Sequence, residues 1–473
     1  LVRLDAALTA ALGPGRHVAL SADLGPAERY RRFLAVSRGS VRIVAGTRAA
    51  VFAPVAELGL VAVFDDGDDL LAEPRAPYPH AREVLMLRSA ARSCALLVGG
   101  FARTAEAQLL VESGWARTIG AQRTAVRAAA PRIEAAGDDY STGSDSAAAK
   151  ARLSPAAFAA ARAALQAGAP VLIQVPRRGY VPVVACFRCR KRAQCRHCHG
   201  PLALSGPGGT LLGCRWCGQP EAHFRCAACG FDQLRAVSVG AGRTAEELGR
   251  AFPGVPVINS SGPKVRSAVP AEPALVIATP GGEPVASGGF GVALLLDGYA
   301  MLGRPDLRAG EETLRRWMAA AALVRPASAG GRVVVGAEAS LAVVQALIRW
   351  DPVGHASAEL AGRRELGFPP AAAMASIEGD EPIVLAALDR LDLPPDGEVL
   401  GPVALDDIDN GGQQTQKQAP AQDEDEVQLR ALVRVPQAGR KALSAALRAV
   451  AAGRSARKEG GGLRIRVDPS DLF

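Results

Sequence analysis

A chain of 473 residues, 49% of them hydrophobic, is sized for roughly two to four domains with full cores. It contains no apolar run near the ~20 residues needed to cross a membrane. Nine cysteines in a chain this long, with no basic-then-apolar leader, exclude a small secreted disulfide scaffold, and the net charge of +8 is modest for 55 basic residues.

The first stretch alternates. Mostly apolar runs at 16–20, 41–45, 60–64 and 94–98 suit buried strands, and helical patterns at 26–37 and 81–91 lie between them. That rhythm predicts an α/β lobe over 1–136 with a parallel sheet and crossover helices. Residues 137–149 are rich in Gly, Ser, Asp and Ala and mark a linker, bounded at 137–152. A helix at 154–168 and a strand at 171–175 open a second α/β domain. Its rhythm resumes with strands at 234–239, 255–259, 274–278, 292–297 and 332–335 and helices at 244–252 and 310–323. The second lobe therefore occupies 153–184 and 231–350, with a cysteine-rich module at 185–230 inserted in it. A small α+β domain follows at 351–473. Its segment 405–426 mixes acids, Gln and Gly and reads as a flexible insert. The strand at 427–435, helix at 438–452 and strand at 463–467 read as a βαβ-like end. The chain opens at Leu1, which points to a fragment or processed product, and its expected location is the cytoplasm.

The inserted module carries eight of the nine cysteines as four knuckles: Cys186-x2-Cys189, Cys195-x2-Cys198, Cys214-x2-Cys217 and Cys226-x2-Cys229. A tight turn lets both sulfurs of a knuckle face one ion, and two knuckles complete a tetrahedral site. Eight cysteines thus predict two structural Zn2+ ions, closed sites with no open catalytic position. Four repeats argue against a redox C-x-x-C. Spacing alone leaves the pairing open. The Gly-Pro-Gly-Gly stretch at 206–209 reads as a hairpin tip and favours an inner set of Cys195, Cys198, Cys214 and Cys217, with Cys186, Cys189, Cys226 and Cys229 outside it. His197, His199 and His223 are better placed for surface or phosphate contacts than for ligation. Trp216 and Phe224 either stack on bases or pack against the knuckles. Cys94 reads as a buried core thiol.

Between 171 and 240 ten basic residues face only Glu221 and Asp232, so the module with its flanks carries a charge excess as large as the whole chain's. Clustered positive charge favours phosphate backbones. Arg188, Arg190, Lys191, Arg192 and Arg196, presented by the knuckles, are the candidate nucleic-acid contacts.

Several stretches, taken in order, resemble one family. They are Gly46-Thr47-Arg48-Ala49-Ala50-Val51-Phe52-Ala53-Pro54, Tyr78-Pro79-His80-Ala81-Arg82-Glu83, Val175-Pro176-Arg177-Arg178-Gly179-Tyr180-Val181-Pro182 before the knuckles, Arg363-Arg364-Glu365-Leu366-Gly367-Phe368-Pro369-Pro370 and the closing Leu463-Arg464-Ile465-Arg466-Val467-Asp468-Pro469. The resemblance is to the primosomal protein N-prime family of replication restart helicases, over nearly the whole chain. It implies two RecA-like lobes of the P-loop NTPase and helicase type, the second interrupted by a two-zinc module with the nested pairing above. It places Thr47 and Arg48 near a single strand's backbone, and Arg177 and Arg178 near nucleic acid or the interlobe cleft. It implies forked or single-stranded DNA as ligand. The implied partners are primosome proteins, the replicative helicase or its loader, and single-strand-binding protein.

The motor motifs depart from that family. None of the six lysines follows a Gly, so these residues hold no phosphate-cradling loop, but in the family that loop lies upstream of the first residue here; the departures are in the motifs that follow. Phe64-Asp65-Asp66-Gly67 stands where an Asp-Glu-Glu-His magnesium box belongs, and Phe cannot reach magnesium directly or through water. Leu71 and Pro77 replace two aromatics, Gly99-Gly100-Phe101-Ala102 replaces Gly-Ser-Ala-Thr, and Leu323 and Pro326 replace two γ-phosphate arginines, with Arg325 out of register. The expectation is a DNA-binding replication restart protein that helps reload the replicative helicase without helicase activity or ATP turnover. The alternatives are an active ATP-dependent 3'-5' DNA helicase, and a zinc-ribbon RNA-binding or transcription factor.

Overall fold

The computed structural model of the protein describes residues 1–136, 153–176, 183–188, 192–205, 211–215, 217–237, 241–405, 427–469 and 472. The linker 137–152, Arg177, Arg178, Cys189, Arg190, Lys191, Trp216 and all but Leu405 of the insert 405–426 lie outside the described residues. The chain forms two compact units, Leu1–Arg117 with Ala356–Leu472, and Thr118–His355.

The Thr118–His355 unit is built on six parallel strands. Their order is Val257–Ser260, Leu275–Ala278, Val171–Gln174, Val292–Leu295, Arg332–Val335 and Arg132–Ala135. The second, third and fourth of these are buried at every position, as parallel strands covered on both faces must be. Helix Pro155–Gln166 shows why the local sequence folds this way. Ser154 caps it by accepting the Ala157 N–H at 3.2 Å, and Pro155 pre-sets the first turn. Its Ala157, Phe158, Ala160, Ala161 and Ala164 bury against Val171, Ile173 and Val292. One expectation is corrected here. Arg132–Ala135, placed by the sequence in the first lobe, pairs with Arg332–Val335 and closes this sheet.

In the other unit, His17–Leu20 pairs in parallel with Ile43–Gly46, and Leu60–Phe64 with Ala95–Gly99. Among the described residues these are two separate two-stranded sheets, not the one sheet expected. Val61 and Val63 turn inward onto Leu85 of helix Ala81–Arg92, while Leu60, Ala62 and Phe64 point out. The C-terminal part is a four-stranded antiparallel sheet in the order Glu398–Ala404, Gln428–Pro436, Ala372–Asp380, Leu463–Val467. Helices Glu381–Asp389 and Arg440–Arg457 cover one face, with Val384, Ala387, Leu443, Leu447 and Val450 packed on Ala375, Ile377, Ala431 and Val433. This is a split β-α-β arrangement. The βαβ-like end expected from the sequence is present in this split form, with Ala372–Asp380 lying between the strands at 428–436 and 463–467. No helix among the described residues is long and apolar enough to cross a membrane.

Candidate metal centre and nucleic-acid face

The cysteine module grows from an antiparallel ribbon of Val183–Cys186 and Leu234–Val237, continued by Leu202–Ser205 and Leu211–Cys214. Three knuckles share one backbone pattern. The N–H of Cys195, Cys214 and Cys226 donates to the carbonyl five residues on, at Gly200, Gln219 and Phe231. The N–H four residues on, at His199, Gly218 and Gly230, returns a bond to the cysteine carbonyl. Those three residues all adopt left-handed φ, at 58°, 71° and 69°. Glycine takes that conformation freely, and His199 takes it at a cost. The backbone of His199 is thus set by the turn, like that of the two glycines.

These turns aim the sulfurs inward. The Sγ atoms of Cys195, Cys198, Cys214 and Cys217 all lie within 4.8 Å of one another, and so do those of Cys186, Cys226 and Cys229. The Sγ···Sγ separations are 3.4 Å for Cys198–Cys214, 3.5 Å for Cys186–Cys229 and 3.7 Å for Cys195–Cys217. A disulfide requires about 2.05 Å. Four thiolates at about 2.3 Å from one ion stand roughly 3.8 Å apart, so the clusters fit a tetrahedral metal. The amides of His197 and Gly200 approach Cys195 and Cys198 sulfur at 3.4 Å. Amide donors at Cys198 and His197 pull the Cys195 thiol down to about 6, favouring the thiolate that binds metal. The clusters can therefore hold metal ions. Phe224 packs into the module core beside Val184, Leu202 and Leu234. Cys94 packs at the edge of the cluster around Val61, Val63 and Leu85, half-buried, not fully buried as expected.

The candidate phosphate contacts divide. Thr47, Arg188 and Arg196 are exposed. Arg196 also binds Glu221 at 3.2 Å and the His223 carbonyl. Arg48 is half-buried and occupied: its Nε donates to Glu73 at 3.0 Å and its Nη1 to the Leu70 carbonyl at 3.2 Å. The turn it sits on depends on Gly46, where a Cβ would come within 2.5 Å of both Ala50 Cβ and the Leu20 carbonyl. Arg192 departs from the expectation altogether, its guanidinium lying over the Tyr299 ring at 3.7 Å.

The residues at the motor positions have structural work. Phe64 is 65% exposed and meets Phe101 edge-on, with ring centroids 5.9 Å apart. Asp66 is buried and accepts from Arg82 Nη1 and Thr104 Oγ1, both at 2.8 Å. Arg325 donates from Nε to the carbonyls of Gly288 and Gly289. None of these roles was visible in the motif pattern, since Arg82 and Thr104 are distant in sequence from Asp66.

Next to Asp66, His80 caps helix Ala81–Arg92 by accepting the Arg82 N–H on Nδ1 at 3.2 Å. Burial first, then the Arg82 charge, pushes its pKa down to about 4, against the pull of Asp66, Glu83 and Glu106. The folded state thus binds its proton later than the unfolded chain, whose His titrates near 6.5. The stability tied to neutral His80 is full above about 6.5 and is lost as pH falls towards 4. His80→Asn keeps a capping acceptor. It should flatten this loss between pH 6.5 and 4, read as hydrogen-exchange protection of residues 81–92. A slope as steep as that of the wild type would refute the assignment.

A family model described as "Primosomal protein N C-terminal domain" matches residues 364–470. The chain is 55% identical to the probable replication restart protein PriA of Mycobacterium tuberculosis, over 98% of this chain and 71% of that protein. It is 55% identical to the protein of the same name from Mycobacterium leprae, over 96% of this chain and 68% of that one. It is 24% identical to replication restart protein PriA of Bacillus subtilis, over 50% of this chain and 29% of that protein. The ordered motifs, the inserted cysteine clusters and these matches agree: the chain belongs to the replication restart protein PriA family.

Proposed function

We propose that this chain is a replication restart protein that binds forked or single-stranded DNA and helps reload the replicative helicase as a scaffold, without hydrolysing ATP. The observation that carries the reading is the fate of the magnesium box. An aromatic side chain stands at its first position, and its third, Asp66, is held by Arg82 and Thr104. A carboxylate already shared between a guanidinium and a hydroxyl in a buried site is not available to order magnesium and water. The tethering of Arg325 to Gly288 and Gly289 supports the same reading, because it leaves that guanidinium facing backbone carbonyls and not a phosphate.

In this reading the parallel sheets belong to RecA-like lobes, the first ending before Arg132–Ala135, the second taking that strand together with 153–184 and 231–350, and the C-terminal domain is 351–473. The metal is Zn2+, held by Cys195, Cys198, Cys214 and Cys217 and by Cys186, Cys189, Cys226 and Cys229. Bound there, it neutralises and cross-links thiolates. Thr47, Arg188 and Arg196 supply phosphate contacts, with Arg177, Arg178, Arg190 and Lys191 on the same basic segment. The partners are the replicative helicase or its loader, primosome proteins and single-strand-binding protein, and the location is the cytoplasm.

The test is ATP hydrolysis by the full chain on forked DNA that it demonstrably binds at a stated salt concentration. The expected result is binding with no DNA-stimulated turnover above background. Turnover abolished by Asp65→Asn, which removes the one acid of the box placed to act as general base, would establish a working motor and overturn the scaffold reading.

A further inference from the structure

The basic residue that faces away from solvent is the informative one. Within the module, Arg192 bridges to Ala185, and the next residue donates its N–H to Val184 at 3.0 Å. Its backbone is therefore fixed to the ribbon three residues before the first inner cysteine. Its guanidinium leaves the module and stacks on Tyr299, a residue of the parallel-sheet unit, at 3.7 Å from the ring centroid. Tyr299 is itself fixed. It is 9% exposed and sits in helix Gly298–Leu302, which follows the C-terminal end of the central strand Val292–Leu295. That helix is pressed on Trp317 so closely that a Cβ on Gly298 would come within 2.8 Å of the indole. Burial lowers the pKa of the same guanidinium, and Tyr299 and the carboxylates of Asp297 and Glu338 oppose only part of that. A second contact lies beside the first. Pro201 of the module, whose carbonyl accepts the Arg215 N–H at 3.0 Å, lies where a Cβ on Gly303 would come within 3.2 Å of its ring.

A module joined to its host by two strands could swing on them. Here a planar cation is laid on an aromatic face, a geometry that Arg provides and Lys does not. The ends of parallel strands are also where α/β sheets bind their ligands. A contact at this point sets the module's direction relative to that edge.

We propose that Arg192 and Tyr299 form a clamp that fixes the orientation of the metal module on the parallel-sheet lobe, so that lobe and module engage a branched DNA as one rigid unit. The clamp makes Arg192 a positioning residue and not a phosphate contact, and its DNA consequence rests on the function proposed above. Two surfaces held in a set geometry bind a two-armed ligand with a high effective concentration, and a loosened joint lowers it without removing any DNA contact.

The experiment compares Arg192→Ala, Arg192→Lys and Tyr299→Leu with the wild-type full chain. The measurements are zinc content, amide exchange over 192–202 and 298–302, and affinity for a fork and for a linear single strand at one salt concentration. The expected result is unchanged zinc, exchange roughly tenfold faster in both segments, and roughly tenfold weaker fork binding with linear binding unchanged. Arg192→Lys should restore only part of each. Wild-type exchange in all three variants overturns the clamp. Faster exchange with undiminished fork affinity, or equal loss on fork and linear strand, overturns its role in orientation. If Arg192→Ala loses metal, Tyr299→Leu, which leaves the module's own sequence intact, decides between these results. If the wild-type chain binds no fork, the proposed function fails, and exchange alone decides the clamp.

Discussion

Cys214→Ser should cost the module its inner metal ion and its fold, while the six-stranded sheet stays intact. The reason is the shortage of other cohesion. The module's buried cluster holds Val184, Ala193, Cys195, Leu202 and Cys214, so two of its five members are cysteines of the proposed inner metal site. Burying Val or Leu contributes about 1.5–3 kcal/mol each. Structural zinc binding contributes roughly 10–16 kcal/mol. The metal term is larger than what fully buried Val184 and Leu202 supply together, so they cannot absorb its loss. The sheet's core is separate: Phe158, Val171, Ile173, Leu275, Ile277 and Leu294 belong to another cluster. Metal analysis should read one ion per chain in place of two. Amide exchange should accelerate over 192–205 and 211–215 and stay slow over 171–174 and 292–295. Two ions retained by the Ser variant, or loss of protection in the sheet, would sink the assignment of that cysteine.

The contrast between these two cores also marks what the sequence could show. Mostly apolar four-residue runs such as Val-Leu-Ile-Gln at 171–174 and Val-Ala-Leu-Leu at 292–295 are buried on both faces, and their composition reveals them. The knuckles were legible because metal chemistry demands a short spacing. The edge strand Arg132–Ala135 was not, since Arg-Ile-Glu-Ala has one large apolar residue and its alternation is too short to stand out. Ala372–Asp380 was missed for a related reason. Its Ala, Ser and Gly have weak strand preference, and only burial against two helices makes it central. The role of Arg192 was hidden differently. In sequence it is one of a run of basic residues, and the ring that claims it lies far along the chain.

The same limit applies to Arg82, whose replacement by Met should be the most damaging single change in the unit Leu1–Arg117 with Ala356–Leu472. Its side chain is 8% exposed and lies 2.8 Å from Asp66, 3.2 Å from Glu83 and 3.9 Å from Glu106. Burial works against its charge, but Glu106, Asp66 and Glu83 outweigh burial and hold it above the ordinary arginine value. Removing the cation leaves a buried carboxylate with only Thr104 beside it and two more acids close by. Breaking a buried pair from one side costs about 3–5 kcal/mol. Unfolding of this unit, followed by exchange in strands 60–64 and 95–99, should shift by that amount. Pairing Arg82→Met with Asp66→Leu should recover much of it, because the stranded charge is gone as well. A loss below about 1 kcal/mol in the single variant would mean that the network is solvated and contributes little. The outcome bears on function too. Stability lost with Arg82, together with absent turnover in every variant, would mean that Asp66, the buried acid of the degenerate box, persists for the architecture of the lobe. Its chemistry would then be that of a buried ion pair and not of a magnesium site.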